Sequence, residues 1–167
     1  HFAQAGSVDV DKAVAAARRA FEGPWSKFKP SERQAVLLKL ADLVEREFES
    51  LALMDVMEMG RPISSALMGK SMVTRLIRYF AGMATAIHGE TPLNSFPTEL
   101  FSYTVKEPVG VVGVIIPWNG PTFSACWKTS PALATGCTVV LKPSEEASLS
   151  SIRLGELCLE AGVPPGV

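Results

Sequence analysis

The feature that most restricts the fold is an uninterrupted apolar run at residues 109–116, which has a proline on either side. Apolar residues without polar alternation predict a strand covered on both faces, as in a parallel sheet. A second run of this kind follows at residues 137–141, and the residues between them, 121–134, can form a helix. Residues 109–142 therefore predict one β–α–β unit with a right-handed crossover.

Before this unit, residues 7–88 have the pattern of helices. Ser7 or Asp9 can cap the first helix, and Ser31 and Gln34 have the spacing of a capping box at the start of the second. Apolar stripes at helical spacing consist of Leu37, Leu40, Val44, Phe48 and Leu51 in the second helix and of Met72, Leu76, Phe80, Met83 and Ile87 in the third. We interpret both stripes as hydrophobic core.

Residues 90–107 differ from the rest, because polar and apolar residues alternate on both sides of Ser95-Phe96-Pro97. This pattern predicts a β-hairpin. Its second arm alternates apolar Phe101, Tyr103 and Val105 with polar residues, so both faces are partly polar. Such a hairpin can project from the body and offer its edge to another subunit, or it can be an ordinary surface hairpin.

The end of the sequence favours a larger protein. A last helix is predicted over about residues 148–160, and residues 161–166 would lead into another strand, yet two or three strands make an incomplete sheet. The predicted fold class is α/β: the start of a doubly wound, Rossmann-like parallel sheet preceded by helices. In this interpretation residues 1–89 and 108–167 are the first part of a nucleotide-binding domain, residues 90–107 are the hairpin, and a catalytic domain is absent from the chain.

Composition excludes several classes of function. A formal net charge of -1 gives no electrostatic reason to expect nucleic acid or an anionic membrane as a partner. No apolar stretch approaches the roughly 18 residues of a spanning helix, and residues 1–3 do not resemble a signal peptide. Cys126, Cys137 and Cys158 form no metal-binding or disulfide pattern, so we expect buried structural thiols, no metal and a cytoplasmic location.

Asn119 follows the first predicted strand and opens the helix after it, at the carboxyl end of the sheet, where open α/β sheets bind ligands. Its amide could donate a hydrogen bond to an oxygen atom that becomes negative during a reaction. Alternatively, the side chain caps the following helix.

Lys142 and Glu145 follow the second strand at the same end of the sheet. A donor and an acceptor placed there can bind the two hydroxyls of an adenosine ribose, and a carboxylate disfavours a 2′-phosphate. The alternative is a solvated ion pair of little consequence. The GxGxxG fingerprint is missing, since Gly110 and Gly113 give only GxxG inside a strand.

Several segments, in this order, resemble the first third of NAD(P)-dependent aldehyde dehydrogenases. They are Glu107-Pro108-Val109-Gly110-Val111, Ile115-Ile116-Pro117-Trp118-Asn119, Trp127-Lys128, Pro131-Ala132-Leu133-Ala134-Thr135-Gly136, Lys142-Pro143-Ser144-Glu145 and Glu160-Ala161-Gly162-Val163-Pro164-Pro165-Gly166. The resemblance implies that Asn119 is the side-chain donor of the oxyanion hole. It implies a cofactor site at Ile115, Ile116, Pro117, Trp118, Lys142, Ser144 and Glu145, and a substrate tunnel at Gly120, Phe123 and Trp127.

The mechanism that the resemblance implies oxidises an aldehyde to a carboxylic acid through a cysteine thiohemiacetal, with NAD as hydride acceptor. The family's nucleophilic cysteine and general-base glutamate lie beyond Val167, so these 167 residues alone should be inactive. Glu145 predicts NAD rather than NADP. Gly120 stands where many members have an aromatic residue, which predicts tolerance of bulky aldehydes. Residues 90–107 resemble the family's bridging element, which implies a homodimer or homotetramer.

Two other interpretations stay open at this point. One is a non-catalytic scaffold or oligomerisation module that keeps this fold, and the other is an aldehyde dehydrogenase that acylates coenzyme A.

Overall fold

The computed structural model describes residues 5–167, which contain six α-helices and two β-strands. The helices are α1 (Ser7–Glu22), α2 (Pro30–Met59), α3 (Ile63–Leu67), α4 (Lys70–Ala86), α5 (Pro121–Ala134) and α6 (Leu149–Ala161). The strands are β1 (Val111–Ile115) and β2 (Thr138–Lys142), and a short 3-10 turn covers Trp25–Lys27. The expectation that residues 1–3 carry no signal peptide lies outside the described residues.

α2 is the central helix, because it packs against α3, α4, α5 and α6. It begins at Pro30, whose fixed φ suits a first helical turn, and it ends at Gly60, which has φ 74°. The Lys29 backbone N–H donates to Glu32 Oε2 at 2.7 Å. The predicted capping box of Ser31 and Gln34 is therefore wrong, since the capping position is Lys29, two residues earlier, and Glu32 is the third residue of α2.

The core stripe predicted for α2 is confirmed, because all five of its residues are buried. The stripe predicted for α4 is partly wrong: Met72 and Ile87 are exposed. The side chains that α4 buries are instead Val73, Thr74, Ile77, Ala81 and Ala84. The predicted stripe followed the largest apolar residues, whereas the face that packs against α2 and α5 is built from β-branched and small ones, which allow close approach of helices.

β1 and β2 pair in parallel, with a register that runs from Val111 opposite Thr138 to Ile115 opposite Lys142. α5 connects them, which confirms the predicted β–α–β unit. A buried hydrogen bond joins this unit to the first helices, because Trp25 Nε1 donates to the Cys137 carbonyl at 3.0 Å. A doubly wound sheet stays a prediction, since the described residues form two strands.

The prediction that β1 is covered on both faces is wrong in part. Val114 and Ile116 are buried, whereas Val109 and Ile115 are 86% and 80% exposed. Burial alternates along residues 113–116 because the helices cover one face of the strand and leave the other open at its carboxyl end.

No strand forms within residues 88–110 of the described chain, so the predicted β-hairpin is absent as a paired ribbon. The segment does reverse direction and its two arms lie side by side. The Thr104 N–H donates to the Glu90 carbonyl at 2.8 Å, and Asn94 Nδ2 donates to the Leu100 carbonyl at 2.7 Å. An isolated two-stranded ribbon is marginally stable at best, because it has no third strand or helix to pack against.

No helix between residues 5 and 167 is both long enough and apolar enough to cross a membrane. Within the same residues, no group of three His, Cys, Asp or Glu side chains could hold a metal ion.

Candidate active site

The carboxyl ends of the two strands bring the predicted site residues to one edge of the sheet. Ile115 lies directly opposite Lys142 in the register, and the Ile116 N–H donates to the Lys142 carbonyl at 3.2 Å. The loop that carries Asn119 and the loop that carries Glu145 therefore both leave the sheet from the same pair of residues.

Asn119 is exposed in the loop between β1 and α5. The N-cap of α5 is Gly120, which has no side chain that could cap the helix. The Gly120 carbonyl accepts the first backbone hydrogen bond, from the Ser124 N–H at 2.8 Å. The interpretation of Asn119 as a helix cap is therefore wrong, and its amide is available to a ligand.

Of the other cofactor-site residues predicted at the end of β1 and in the loop after it, three are exposed and one is not. Ile115, Pro117 and Trp118 are exposed at the edge, whereas the side chain of Ile116 is 3% exposed and packs in the core. Ile116 can therefore meet a ligand only through its backbone.

Lys142 and Glu145 form an exposed ion pair, with Lys142 Nζ at 3.2 Å from Glu145 Oε2. The backbone N–H of Glu145 itself, and after it the hydrogen bond from Lys142, hold the pKa of this carboxyl below its ordinary value. Ser144 is half-buried, and its Oγ accepts from the Glu146 N–H at 3.3 Å. An exposed ion pair adds little to the stability of the fold. Lys142 and Glu145 can therefore give up their mutual contact and bind ligand hydroxyls instead, at a small cost in free energy.

Phe123 and Trp127 lie one turn apart on α5, with ring centroids 5.5 Å apart. The Lys128 ammonium lies over the Trp127 ring at 4.6 Å from its centroid. A Cβ atom added to Gly120 would meet nothing within 4 Å. Gly120 and Phe123 also line a cavity of about 270 Å³ between α2, α4 and the first turn of α5.

Two acidic residues of α2 near this site were missed by sequence reasoning. Glu58 accepts hydrogen bonds from the Ser148 and Leu149 N–H groups, both at 3.0 Å, where α6 begins. Asp55 lies on the cavity and is only 6% exposed. A signal for Asp55 exists in the sequence, because it follows Leu51 by four residues and so continues the apolar stripe of α2.

The cysteines lie in apolar surroundings, as predicted. Cys126 and Cys137 are buried and Cys158 is half-buried. Burial raises the pKa of the Cys126 thiol above its ordinary range and that of Cys158 to about 12. A thiol that stays protonated is a poor nucleophile, so neither Cys126 nor Cys158 is suited to attack a carbonyl.

Comparison with known proteins identifies the group to which this geometry belongs. The model of the aldehyde dehydrogenase family matches residues 1–167. The sequence is 46% identical over 169 residues to "Aldehyde dehydrogenase family 2 member B4, mitochondrial" of Arabidopsis thaliana, with 100% of this chain and 31% of that protein aligned. It is also 46% identical to "NADP/NAD-dependent aldehyde dehydrogenase PuuC" of Escherichia coli (strain K12), over 99% of this chain and 33% of that protein.

The fold agrees with the sequence comparison. A solved NAD+ complex of an aldehyde dehydrogenase from Bacillus cereus superposes with a TM-score of 0.90 and 46% identity, over 98% of this chain and 33% of that one. The chain thus spans about a third of the length of the relatives that it matches. Since the family model matches all 167 residues and these relatives are close to half identical, the chain belongs to the aldehyde dehydrogenase family.

Proposed function

We propose that this chain is the N-terminal, cofactor-binding portion of an NAD-dependent aldehyde dehydrogenase that oxidises an aldehyde to a carboxylic acid. The observation that carries the proposal is the register of the two strands, which sets Ile115 opposite Lys142. The Asn119 amide and the Lys142–Glu145 pair therefore leave one sheet edge together. The names of the relatives support a nicotinamide cofactor and an aldehyde substrate for such an edge.

The residues at this edge fit an adenosine ribose. Lys142 supplies a donor and Glu145 an acceptor, 3.2 Å apart and both exposed, as two neighbouring hydroxyls require. Ser144, which stands between them in the sequence and is half-buried, adds a hydroxyl to this loop. The exposed Ile115 offers apolar surface opposite Lys142 in the register, and Trp118 is exposed in the loop that follows. The bound dinucleotide would supply a hydride acceptor, while these residues hold and orient it.

Asn119 would act on the aldehyde. The carbonyl oxygen becomes negative when a nucleophile adds to its carbon, and the amide N–H groups of Asn119 can then donate to it. A neutral donor stabilises the developing charge without forming an ion pair with the substrate. The nucleophile itself would come from the part of the protein that this chain does not include.

The test of this proposal is Asn119→Ala in the full-length enzyme. We expect kcat/KM for aldehyde-dependent NADH formation to fall by about 10²–10³, the cost of losing one oxyanion donor. Gln34→Ala, which removes a half-buried amide of α2 outside the site, should leave the rate unchanged. Full activity of Asn119→Ala would exclude the assigned role. Acceleration by coenzyme A would instead favour the acylating form of the chemistry, and inactivity of the wild-type protein would favour the non-catalytic module.

The preference between NAD and NADP is a separate prediction, and it depends on Glu145. The carboxylate would repel the 2′-phosphate of NADP, so we propose that NAD is preferred. Glu145→Gln should raise kcat/KM for NADP relative to NAD by a few fold, on the order of what a solvent-screened repulsion between exposed charges provides. The measurement is a pair of steady-state titrations, with Glu146→Gln as the control because Glu146 is the exposed neighbour. The same NAD/NADP ratio in both variants would show that Lys142 and Ser144 decide the preference.

We further propose that residues 90–107 contact another subunit of a homodimer or homotetramer. The support is the exposure of large apolar side chains along the segment, among them Leu93, Phe101, Tyr103 and Val105. The free thiols of all three cysteines support a reducing compartment such as the cytoplasm.

A further inference from the structure

Two acidic side chains of α2 lie at the starts of two different helices. Asp55 and Glu58 are three residues apart, so they share one side of α2. Glu58 accepts from the Ser148 and Leu149 N–H groups, both at 3.0 Å, where α6 begins. Asp55 is 6% exposed and lies beside Thr122, in the first turn of α5. One helix therefore reaches the first turns of both helices that follow the strands.

The first turn of α5 requires an acceptor from outside the helix. Its N-cap is Gly120, which has no side chain, and Pro121 follows. The N–H groups of a first helical turn have no partner within the helix itself. An acidic side chain is favourable at such a position, both as an acceptor and because the beginning of a helix is its positive end. Asp55 is the acid that α2 brings to this position.

The surroundings of the Asp55 carboxyl fit this role. Burial raises its pKa, whereas the hydroxyls of Ser150 and Thr122 and the Thr122 backbone N–H lower it as hydrogen-bond donors. Asp55 Oδ1, Thr122 Oγ1 and Ser150 Oγ have no hydrogen-bond partner elsewhere within the described residues. Since buried polar atoms are costly to leave unsatisfied, these three groups depend on one another. They join α2, α5 and α6 at one buried point.

Each of these first turns closely follows a residue of the proposed site. Asn119 precedes Thr122 by three positions, and Glu145 precedes Ser148 by three. Both Asn119 and Glu145 are exposed, so their own side chains contribute little packing that would fix the two loops. The place where each loop ends is set by the helix that it enters. A side chain that holds the first turn of that helix therefore also holds the loop.

We propose that Asp55 and Glu58 are positioning residues for the aldehyde oxidation proposed above, on which this inference rests. Asp55 holds the first turn of α5 and thereby orients the Asn119 amide toward the substrate oxygen. Glu58 holds the first turn of α6 and thereby places the Glu145 carboxylate at the cofactor. Both acids act through other residues rather than by touching a ligand. The arrangement matters because a displacement of about 1 Å can lower a rate by about 10².

Steady-state kinetics of the full-length enzyme should separate the two acids. We expect Asp55→Ala to lower kcat/KM for the aldehyde by roughly tenfold to a hundredfold at saturating NAD, with KM for NAD unchanged. Asp55→Asn keeps an acceptor oxygen and should recover most of the rate. Glu58→Ala should instead raise KM for NAD several fold. Glu49→Ala, which alters an exposed acid of the same helix, should match the wild type in both.

A double-mutant cycle tests whether Asp55 acts through Asn119. If it does, Asp55→Ala should cost no more than about twofold once Asn119→Ala has removed the amide. An equal loss in both backgrounds would show that Asp55 supports only the fold, and would overturn its role. An unchanged KM for NAD in Glu58→Ala would overturn the role of Glu58. If Asp55→Ala does not fold, Thr122→Val, which removes one donor and keeps the volume, takes its place in the cycle.

Hydrogen–deuterium exchange distinguishes failure of this inference from failure of the proposed function. If the wild-type enzyme oxidises no aldehyde, or if Asn119→Ala is fully active, the proposed function fails, and exchange then tests positioning by itself. Peptides from residues 117–126 should exchange faster in Asp55→Ala than in Asp55→Asn or Glu49→Ala. Equal exchange in all three variants overturns the positioning role of Asp55, whether or not the protein is active.

Discussion

At Gly120, the lack of a side chain leaves open space next to Asn119. It immediately follows Asn119, it faces open space, and it shares a cavity with Phe123. Its φ of -174° is extended backbone that any residue adopts, so the conformation does not require glycine. The absence of a side chain at this position therefore leaves space in the proposed substrate tunnel and has no conformational role in the chain.

At the residue scale we predict that Gly120→Phe narrows substrate choice in the full-length enzyme. The added ring would fill space beside Phe123, so kcat/KM for a bulky aromatic aldehyde should fall relative to acetaldehyde by about tenfold or more, within the range that steric discrimination provides. Steady-state kinetics with both aldehydes measure the ratio. A control is Gly82→Phe, since Gly82 on α4 also has nothing within 4 Å of an added Cβ atom. An unaltered ratio in Gly120→Phe would contradict the assignment of Gly120 to the tunnel wall.

At the scale of elements, the start of α6 depends on a side chain from α2. The Glu58 carboxylate accepts from two backbone N–H groups at the first turn of α6, and Ser148 itself provides no side-chain cap. A negative charge also complements the positive end of a helix. Glu58 thus fixes the position of α6 relative to α2.

We therefore predict that Glu58→Ala loosens α6. Loss of a helix cap costs about 1 kcal/mol, which corresponds to roughly fivefold faster opening of the helix. Hydrogen–deuterium exchange of peptides from residues 148–161 in the full-length protein measures this change. Glu49→Ala, an exposed substitution on the same helix, should not alter exchange in these peptides. Equal protection in both variants would show that packing alone holds α6.

Elements whose signal lies within one stretch of sequence could be predicted, whereas features that depend on contacts between distant stretches could not. The β–α–β unit could be predicted because each apolar run by itself indicates a strand. The parallel register of the two strands then brings Lys142 opposite Ile115. The buried face of α4 could not be read from its largest residues, because partners in α2 and α5 select the small ones. Asp55 and its cavity required contacts among α2, α4 and α5, which no single stretch of sequence contains.

At the scale of the whole molecule, residues 90–107 stand out because their large apolar side chains are each more than half exposed. Phe101 is 77% exposed, and its nearest aromatic neighbour is Tyr103 of the same segment. The sequence indicated two arms with alternating polar and apolar residues here. It could not show that the arms would fail to form a hydrogen-bonded β-ladder with each other. A segment with this surface is suited to packing against a second copy.

We predict that Phe101→Asp weakens self-association of the full-length enzyme. A charge buried in an apolar contact costs several kcal/mol, so the oligomer should dissociate at micromolar concentration. Sedimentation velocity measures the change in mass. Tyr79→Asp, which alters an exposed aromatic residue of α4 outside the segment, is the control. A sedimentation profile identical to wild type would exclude Phe101 from the subunit contact.

The hydrogen bond from Trp25 to the Cys137 carbonyl has a practical consequence for spectroscopy. Trp25 is 1% exposed, so its fluorescence should be shielded from acrylamide and should respond when the first helices separate from the strands. Trp118 and Trp127 are partly exposed at the proposed site, so their emission should be quenched readily and should respond to ligands instead. Three tryptophans thus divide into one internal reporter of folding and two surface reporters of occupancy, and single-tryptophan variants would let each event be followed without a label.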